Sequence, residues 1–546
     1  MGNRHYLHIL QNGQSISITL QERESILEAM LRHGITYPSD CGGRGTCGKC
    51  KIRVIEGKLV ISTSDRKCLS EKELEEGYRL ACKAYPEENI TVSLPNRVED
   101  EIQVLTESNR LTSSMYSTQN SVDGYGIGID LGTTTLALQL MDSTGRILAT
   151  HSSVNPQRVY GADVISRMRA SMEGKRETLR DLIHHSLRTG ILKLIREVNI
   201  EAELVSQITI AGNTTMIHLL MGYPCDTLGV YPFTPVNLDR IDLTFGELFD
   251  EREPITTQKE AEDDWEQGAI GKLQKATVTI LPGVGAFVGG DIVAGLGVCD
   301  FDRSEKVCLL IDLGTNGELA LGNQDKLLVS STAAGPAFEG GNISCGLASI
   351  PGAISRVTIG NEVIHLQTIG DKKPSGICGT GVVELCAELL RSGGMDATGL
   401  LKEDYFTQGV PLYEDDQVKI TFTQKDVREL QLAKAAIRAG IEVLLSRYGI
   451  TYSEVDTVYL AGGFGYVLDL AKAVTIGLLP EELQNKVLSV GNTSLSGTLR
   501  YNLDSEFAAR LLKIVHGATE VHLSNEVNFQ EKYLSHINFP GNGIEM

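Results

Sequence analysis

The sequence predicts an α+β multidomain chain. A small strand-rich unit covers residues 1–95, a linker 96–122, and a duplicated α/β unit 123–546, in two lobes of approximately 123–300 and 301–546. Three observations predict it. Four of the 11 cysteines cluster around a glycine-rich loop near the N-terminus. An apolar run ending in Asp-Leu-Gly-Thr occurs at Asp130 and again at Asp312, roughly half a domain later. Between these patterns lies a stretch rich in Ser, Thr and Asn with no sustained apolar period, which reads as a flexible tether.

The bulk properties set limits. A chain of 546 residues exceeds what one core serves, and 42% hydrophobic with 22% charged residues is an ordinary soluble composition. No stretch approaches the roughly 18 apolar residues that cross a bilayer. The first ten residues lack the apolar core of a secretory signal, and Tyr6 breaks the myristoylation pattern that Gly2 would open. The expectation is a cytoplasmic protein without a membrane partner. In that reducing compartment, clustered cysteines point to metal rather than disulfides. The formal charge of −20 repels phosphates and argues against nucleic acid. Residues 1–95 hold 13 Lys and Arg against 12 Asp and Glu, leaving 37 against 58 for the rest. The acidity therefore belongs to the larger unit.

In the first unit, HYLHILQ and SISITL alternate around Asn12-Gly13, a hairpin turn signal. Ser25 opens a helix that Gly34 stops. Cys41, Cys47 and Cys50 follow at spacings x5 and x2, then a strand, then Cys82, then a last strand. Two irons bridged by two sulfides need four thiolates, two on each. Gly42, Gly43, Gly45 and Gly48 let the backbone curl and aim N–H groups at the sulfurs, with Arg44 nearby. Zinc also accepts four thiolates, but its ribbons use paired C-x2-C knuckles and only one is present. Cys68 competes with Cys82 as the fourth ligand, although it precedes an acidic, helix-like run. The order strand–strand–helix–loop–strand with a late cysteine resembles the β-grasp 2Fe–2S ferredoxins. The x5 spacing is that of their adrenodoxin-like branch.

In the second unit, each Asp-Leu-Gly-Thr turn joins two alternating strands. Two such hairpins facing across a cleft can clamp phosphates. The loops Gly132-Thr133-Thr134 and Gly314-Thr315-Asn316 would offer N–H groups and hydroxyls, while Asp130 and Asp312 hold Mg²⁺ through water. A third element, a buried strand ending at Gly462, Gly463 and Gly465, resembles the adenosine motif of the actin and sugar-kinase superfamily, which implies a bare backbone laid against base and ribose. Small-residue helices at Val288–Gly295 and Ala471–Gly477 are expected to cross closely and shear. The order of these five elements resembles the acetate and sugar kinase, actin and chaperone superfamily, implying a duplicated ribonuclease-H-like fold that binds ATP. Asp291, Glu318 and Glu339 are candidates to orient the attacking water. Cys225, Cys299, Cys308, Cys345, Cys378 and Cys386 share no ligand spacing and read as small buried hydrophobes. The acidic stretch 247–266 around Trp265 reads as an exposed insertion.

A cluster unit ahead of this ATPase resembles the reductive activators of corrinoid proteins. Specific phrases carry the likeness: Asn155-Pro-Gln-Arg-Val-Tyr-Gly-Ala-Asp163, Ala211-Gly-Asn-Thr-Thr-Met, Pro232-Phe-Thr-Pro, Ser331-Thr-Ala-Ala-Gly-Pro-Ala-Phe-Glu339 and Asp426-Val-Arg-Glu-Leu-Gln-Leu-Ala-Lys434. The resemblance implies ATP-dependent reduction of Co(II) to Co(I) in the corrinoid protein of a methyltransferase system, fed by an upstream low-potential electron donor. The linker runs straight into the first hairpin, so the family's middle domain is expected to be absent or much reduced, which leaves a homodimer open. Three rivals stand beside this expectation. They are a small-molecule kinase with a redox-sensing cluster, an activator of radical dehydratases, and an ATP-gated adaptor whose cluster is structural.

Overall fold

Alternating Leu7, Ile9, Ile18 and Leu20 are all buried on one face of the hairpin His5–Gln11 and Gln14–Leu20, whose register brings Gln11 opposite Gln14. The computed structural model describes residues 5–541 apart from 12–13, 34, 36, 38, 40, 95–123, 250–263, 361–362, 416–417 and 464–467. Asn12, Gly13, Gly34, the linker 96–122 and Gly465 therefore lie outside the described residues. The first sheet runs Gln14–Leu20, His5–Gln11, Ile90–Ser93, Lys51–Glu56, Tyr78–Leu80. Its first strand pairs parallel with Ile90–Ser93 while its other pairings are antiparallel, the β-grasp arrangement. Ser25 caps the helix Ile26–Arg32 reciprocally with Glu28, and that helix lays Ile26, Leu27, Ala29 and Met30 into the core.

The rest of the chain builds one sheet twice. Tyr125–Leu131, Thr135–Met141, Ile147–Val154, Val205–Gly212 and Thr277–Ile280 lie side by side with the third strand outermost, then second, first, fourth and fifth. Cys308–Leu313, Gly317–Gly322, Leu327–Thr332, Thr457–Ala461 and Val487–Gly491 repeat that order, with Ala518–Glu520 added beyond Leu327–Thr332. The register repeats too. Asp130 pairs with Ala211 and Asp312 with Ala461, each Ala followed by a Gly. Both strands of each hairpin are buried almost throughout, which explains runs such as Leu-Ala-Leu-Gln-Leu-Met that barely alternate.

The crossing helices correct an expectation. Gly290–Val298 does cross a partner closely, but the partner is Thr493–Leu503, not Ala471–Gly477. A Cβ added at Gly497 would lie 2.5 Å from the Ala294 side chain, and one at Gly295 2.7 Å from Thr493 Oγ1. The reason is the pseudo-symmetry: each crossing helix follows the fifth strand of its lobe. The short helix Leu470–Thr475 packs beside Gly379–Ser392, where Lys472 pairs with Glu384 and Glu388 and donates to Val357 O at 2.9 Å. The acidic stretch ends in the helix Asp264–Leu273, on which Trp265 is exposed with Arg196 over its ring.

Among the described residues no helix is long and apolar enough to cross a membrane. The C-terminal segment is held by an unusual group. Lys434 on the helix Gln424–Tyr448 is buried, and its Nζ donates to His536 O at 2.6 Å and Asn538 O at 2.8 Å beside the Phe539 ring. Burial pushes its ammonium down to about 7 from 10.5. Between those values the unfolded chain binds a proton that the folded chain does not, so this group makes stability rise with pH through that window. Lys434→Met is expected to remove that rise. It should also cost about 1–3 kcal/mol at neutral pH by leaving the two carbonyls without their donor. Thermal unfolding between pH 6 and 10 measures both effects.

Candidate functional site

The cluster loop owes its shape to Gly42, Gly43, Gly45 and Gly48, all at positive φ between 60° and 79°. This curl brings the predicted thiols together as two pairs. Cys50 Sγ lies 3.3 Å from Cys82 Sγ, and the Cys41 and Cys47 thiols hydrogen-bond to each other. Cys41, Cys50 and Cys82 are buried while Cys47 is partly exposed. Two thiols at each of two points is what two irons require. Among the described residues no three such ligands converge on one point, as a single zinc ion would need. Cys68 stays apart, its thiol 3.5 Å from Gly45 O.

The second site forms where the two hairpin tips meet. Thr134 Oγ1 and Thr315 Oγ1 are 3.0 Å apart, and Glu339 Oε2 accepts from both, at 3.0 and 2.5 Å. Glu339 ends a short turn pinned by Gly379, where an added Cβ would strike the Phe338 carbonyl. Asp130 accepts from Ser494 Oγ at 2.7 Å and Asn492 Nδ2 at 2.8 Å. Gly462, at φ +88°, backs onto Asp312, while the space at Gly463 is open. Asn316 donates to Glu318, and Asp291 accepts from the N–H of Ile292 at 2.8 Å.

Burial raises every carboxylate here, and repulsion from neighbouring carboxylates adds to it at Asp291, Asp312 and Glu318. Asp291 and Asp312 are pushed up to about 7, by burial first, then by Asp130 on the one and Asp291 on the other. Burial also raises Asp130, Glu318 and Glu339, against the donors each has. Among the described residues no three of these carboxylates converge on one point, so a hard cation here would be met through water.

Sequence reasoning missed Arg167 and gave no individual role to Asn155 and Asn213, which stand in phrases it singled out; together the three hold the first tip. Asn155 Nδ2 donates to Gly132 O at 2.9 Å, Asn213 Nδ2 to Thr133 Oγ1 at 2.9 Å, and the buried Arg167 Nη2 to Thr133 O at 2.6 Å. One signal for the missed Asn492 was available. Gly491-Asn492-Thr493-Ser494 repeats Gly212-Asn213-Thr214-Thr215, and each Asn caps the helix that follows. Of the six remaining cysteines, five are buried as expected. Cys345 is not: it lines a cavity of about 470 Å³ with Ser344, Ser375 and Thr423.

Residues 9–87 match the family described as the 2Fe-2S iron-sulfur cluster binding domain. Residues 125–304 match the RACo middle region, and 306–546 the C-terminal domain of RACo, the ASKHA domain. The chain is 34% identical over 466 residues to the corrinoid activation enzyme RamQ of Eubacterium limosum, covering 81% of this chain and 75% of that one. The chain belongs to the reductive activators of corrinoid proteins. Another member, the [Co(II) methylated amine-specific corrinoid protein] reductase of Methanosarcina barkeri, is 25% identical over 77% of this chain and 78% of its own. The solved reductive activator for corrinoid, iron-sulfur protein superposes with a TM-score of 0.68 at 28% identity, covering 98% of both chains. This overturns one expectation. The family's middle region is present, and it coincides with the first of the two pseudo-symmetric lobes.

Proposed function

We propose that this chain is an ATP-hydrolysing reductive activator of the cytoplasm. It passes an electron from its 2Fe–2S cluster to the Co(II) corrinoid of a methyltransferase-associated protein and so restores Co(I). One observation carries this above all: a single chain joins two thiol pairs at 3.3 Å or hydrogen-bond range to a junction of two phosphate hairpins. When bound, the cluster supplies a one-electron carrier, refilled by a low-potential donor. Cys41 and Cys47 would hold one iron and Cys50 and Cys82 the other, with Cys68 outside the set.

In the cleft, Gly132, Thr133 and Thr134 would meet the phosphates from one side and Gly314, Thr315 and Asn316 from the other. Gly462, Gly463 and Gly465 would line the adenosine. Asp130, Asp312 and Asp291 would hold Mg²⁺ through water, and that charge would draw their raised carboxyls back to the ionised form. Glu339 is best placed to orient the attacking water, since it already sits between both tips. Binding energy from nucleotide can drive docking on the corrinoid protein and disturb a cobalt ligand, which eases an otherwise uphill transfer.

Anaerobic mixing of the reduced chain with a Co(II) corrinoid protein tests it. The Co(I) absorption is expected with Mg-ATP and not without. Equal reduction in both arms would sink the coupling to ATP, and none in either would sink the activator reading.

A further inference from the structure

The cluster loop does not hang free of the ATPase lobes. A Cβ at Gly42 would lie 2.5 Å from the Tyr160 carbonyl oxygen, and Arg44 Nη2 donates to Ser166 Oγ at 3.2 Å. The loop thus sits on the segment from Asn155 to Arg167. That same segment grips the first phosphate hairpin from behind. Asn155 donates to Gly132 O, and Arg167 spans the gap, with Nη2 on Thr133 O at 2.6 Å and Nε on Gly161 O at 2.9 Å. Its third nitrogen faces Met216 Sδ at 3.3 Å, a weak acceptor that does little to fix it elsewhere. Gly161 is packed so closely that an added Cβ would fall 2.3 Å from the Ser166 side chain. A displacement of the hairpin tip has no slack to absorb it before it reaches Tyr160 and Ser166.

We infer that Arg167 is a positioning residue that carries the state of the nucleotide cleft to the cluster loop, loosening the loop's seat on the first lobe when phosphates enter. The inference rests on the nucleotide reading above. Thr134 and Thr315 touch at 3.0 Å and share one carboxylate oxygen of Glu339. A phosphate that accepts from these hydroxyls takes them from Glu339 Oε2, the one acceptor that now ties the two tips together, and its charge repels that carboxylate, so the tie is released and the tips are free to part. The Thr133 carbonyl moves with its tip. Arg167 then draws on Gly161, and the Tyr160 carbonyl under Gly42 shifts. Loosening leaves the loop free to face a partner only while nucleotide is held, which is the order an ATP-gated electron transfer requires.

Amide hydrogen exchange on the full, cluster-loaded chain under anaerobic conditions, with and without Mg-AMPPNP, tests this. In the native chain nucleotide is expected to protect residues 132–134 and 314–316 and to speed exchange at 42–48 by at least about fivefold. Arg167→Met is expected to keep the protection at the hairpins and lose the response at 42–48. A merely structural Arg167 would instead change loop exchange by the same factor in both states. Ser166→Tyr, which crowds the Arg44 seat without touching the hairpin, is expected to give a loop already fast and deaf to nucleotide. It keeps the test open should Arg167→Met fail to fold. A loop unmoved by nucleotide in the native chain, or equally responsive in either variant, overturns the coupling. Absence of protection at the hairpins overturns the nucleotide reading and the coupling with it.

Discussion

Cys82→Ser removes the visible absorption and the electron paramagnetic resonance signal of the cluster, and reduction of the corrinoid falls to background; Cys68→Ser leaves both intact. That is the expected pair of results, and its basis is geometric. Cys82 is buried in the short turn Ala81–Lys83 with its thiol 3.3 Å from that of Cys50, so the two can serve one iron. Serine offers a harder and less acidic oxygen, and an iron left with one thiolate from the chain loses half its protein ligands. Cys68 ends the helix Thr63–Cys68 and rests on the Gly45 carbonyl at 3.5 Å. To replace Cys82 it would have to break a cap in which Asp65 bonds both Ser62 and the N–H of Leu80. Retained absorption in Cys82→Ser together with loss in Cys68→Ser would reverse the ligand assignment.

The second large effect is at Asp312. Replacing it with Asn is expected to lower ATP turnover by about 10²–10³-fold while the cluster spectrum stays native. The side chain lies at the end of the first strand of its lobe, with Gly462 against its back and Asp291, Asp130 and Glu339 as its charged neighbours. Among the described residues no cation pairs with it, and burial with Asp291 holds it at about 7, so its proton must leave before Mg²⁺ can use it. The sign follows. A raised carboxyl binds a proton in the nucleotide-free form that the metal-bound form releases, so Mg-ATP affinity should rise as pH climbs through about 7 and then level off. In Asp312→Asn that rise should become shallower, because one of the two carboxyls held at about 7 is gone. Isothermal titration of Mg-AMPPNP in buffers of different ionisation enthalpy counts the protons directly. A pH-independent affinity in the native chain would contradict the placement of these carboxylates around the metal.

Much of this site was legible from spacing. The x5 and x2 intervals, the four loop glycines and the two Asp-Leu-Gly-Thr turns each prescribe a local backbone, and local backbone is what a short motif determines. The sequence puts Asp130 with Thr134 and Asp312 with Thr315 on two hairpins expected to face across a cleft, and in the structure the Thr134 and Thr315 hydroxyls meet at 3.0 Å. The errors have one common cause. Ala471–Gly477 looked like a crossing helix because it is rich in small residues, but small residues permit close packing without choosing the partner. That choice came from the fold's pseudo-symmetry, which puts Gly497 against Ala294. The same symmetry explains why the middle region seemed missing: it is the first lobe itself, and its hairpin had already been counted as part of the ATPase.

Arg167 marks the boundary between the two kinds of information. Its sequence neighbourhood, Asp163-Val-Ile-Ser-Arg167, reads only as a capped helix start, and a buried arginine has no signature of its own. By itself the sequence determined the chemistry available, namely three thiols on a curled loop, a fourth further along the chain, and two Asp-Leu-Gly-Thr hairpins with their carboxylates. Those depend on residues close together along the chain. Which thiols pair, which helices cross, and that one guanidinium spans Thr133 and Gly161 beneath the cluster loop were decided by the tertiary structure alone. Such contacts join segments far apart in sequence, and only the burial of both sheets brings them within hydrogen-bonding reach.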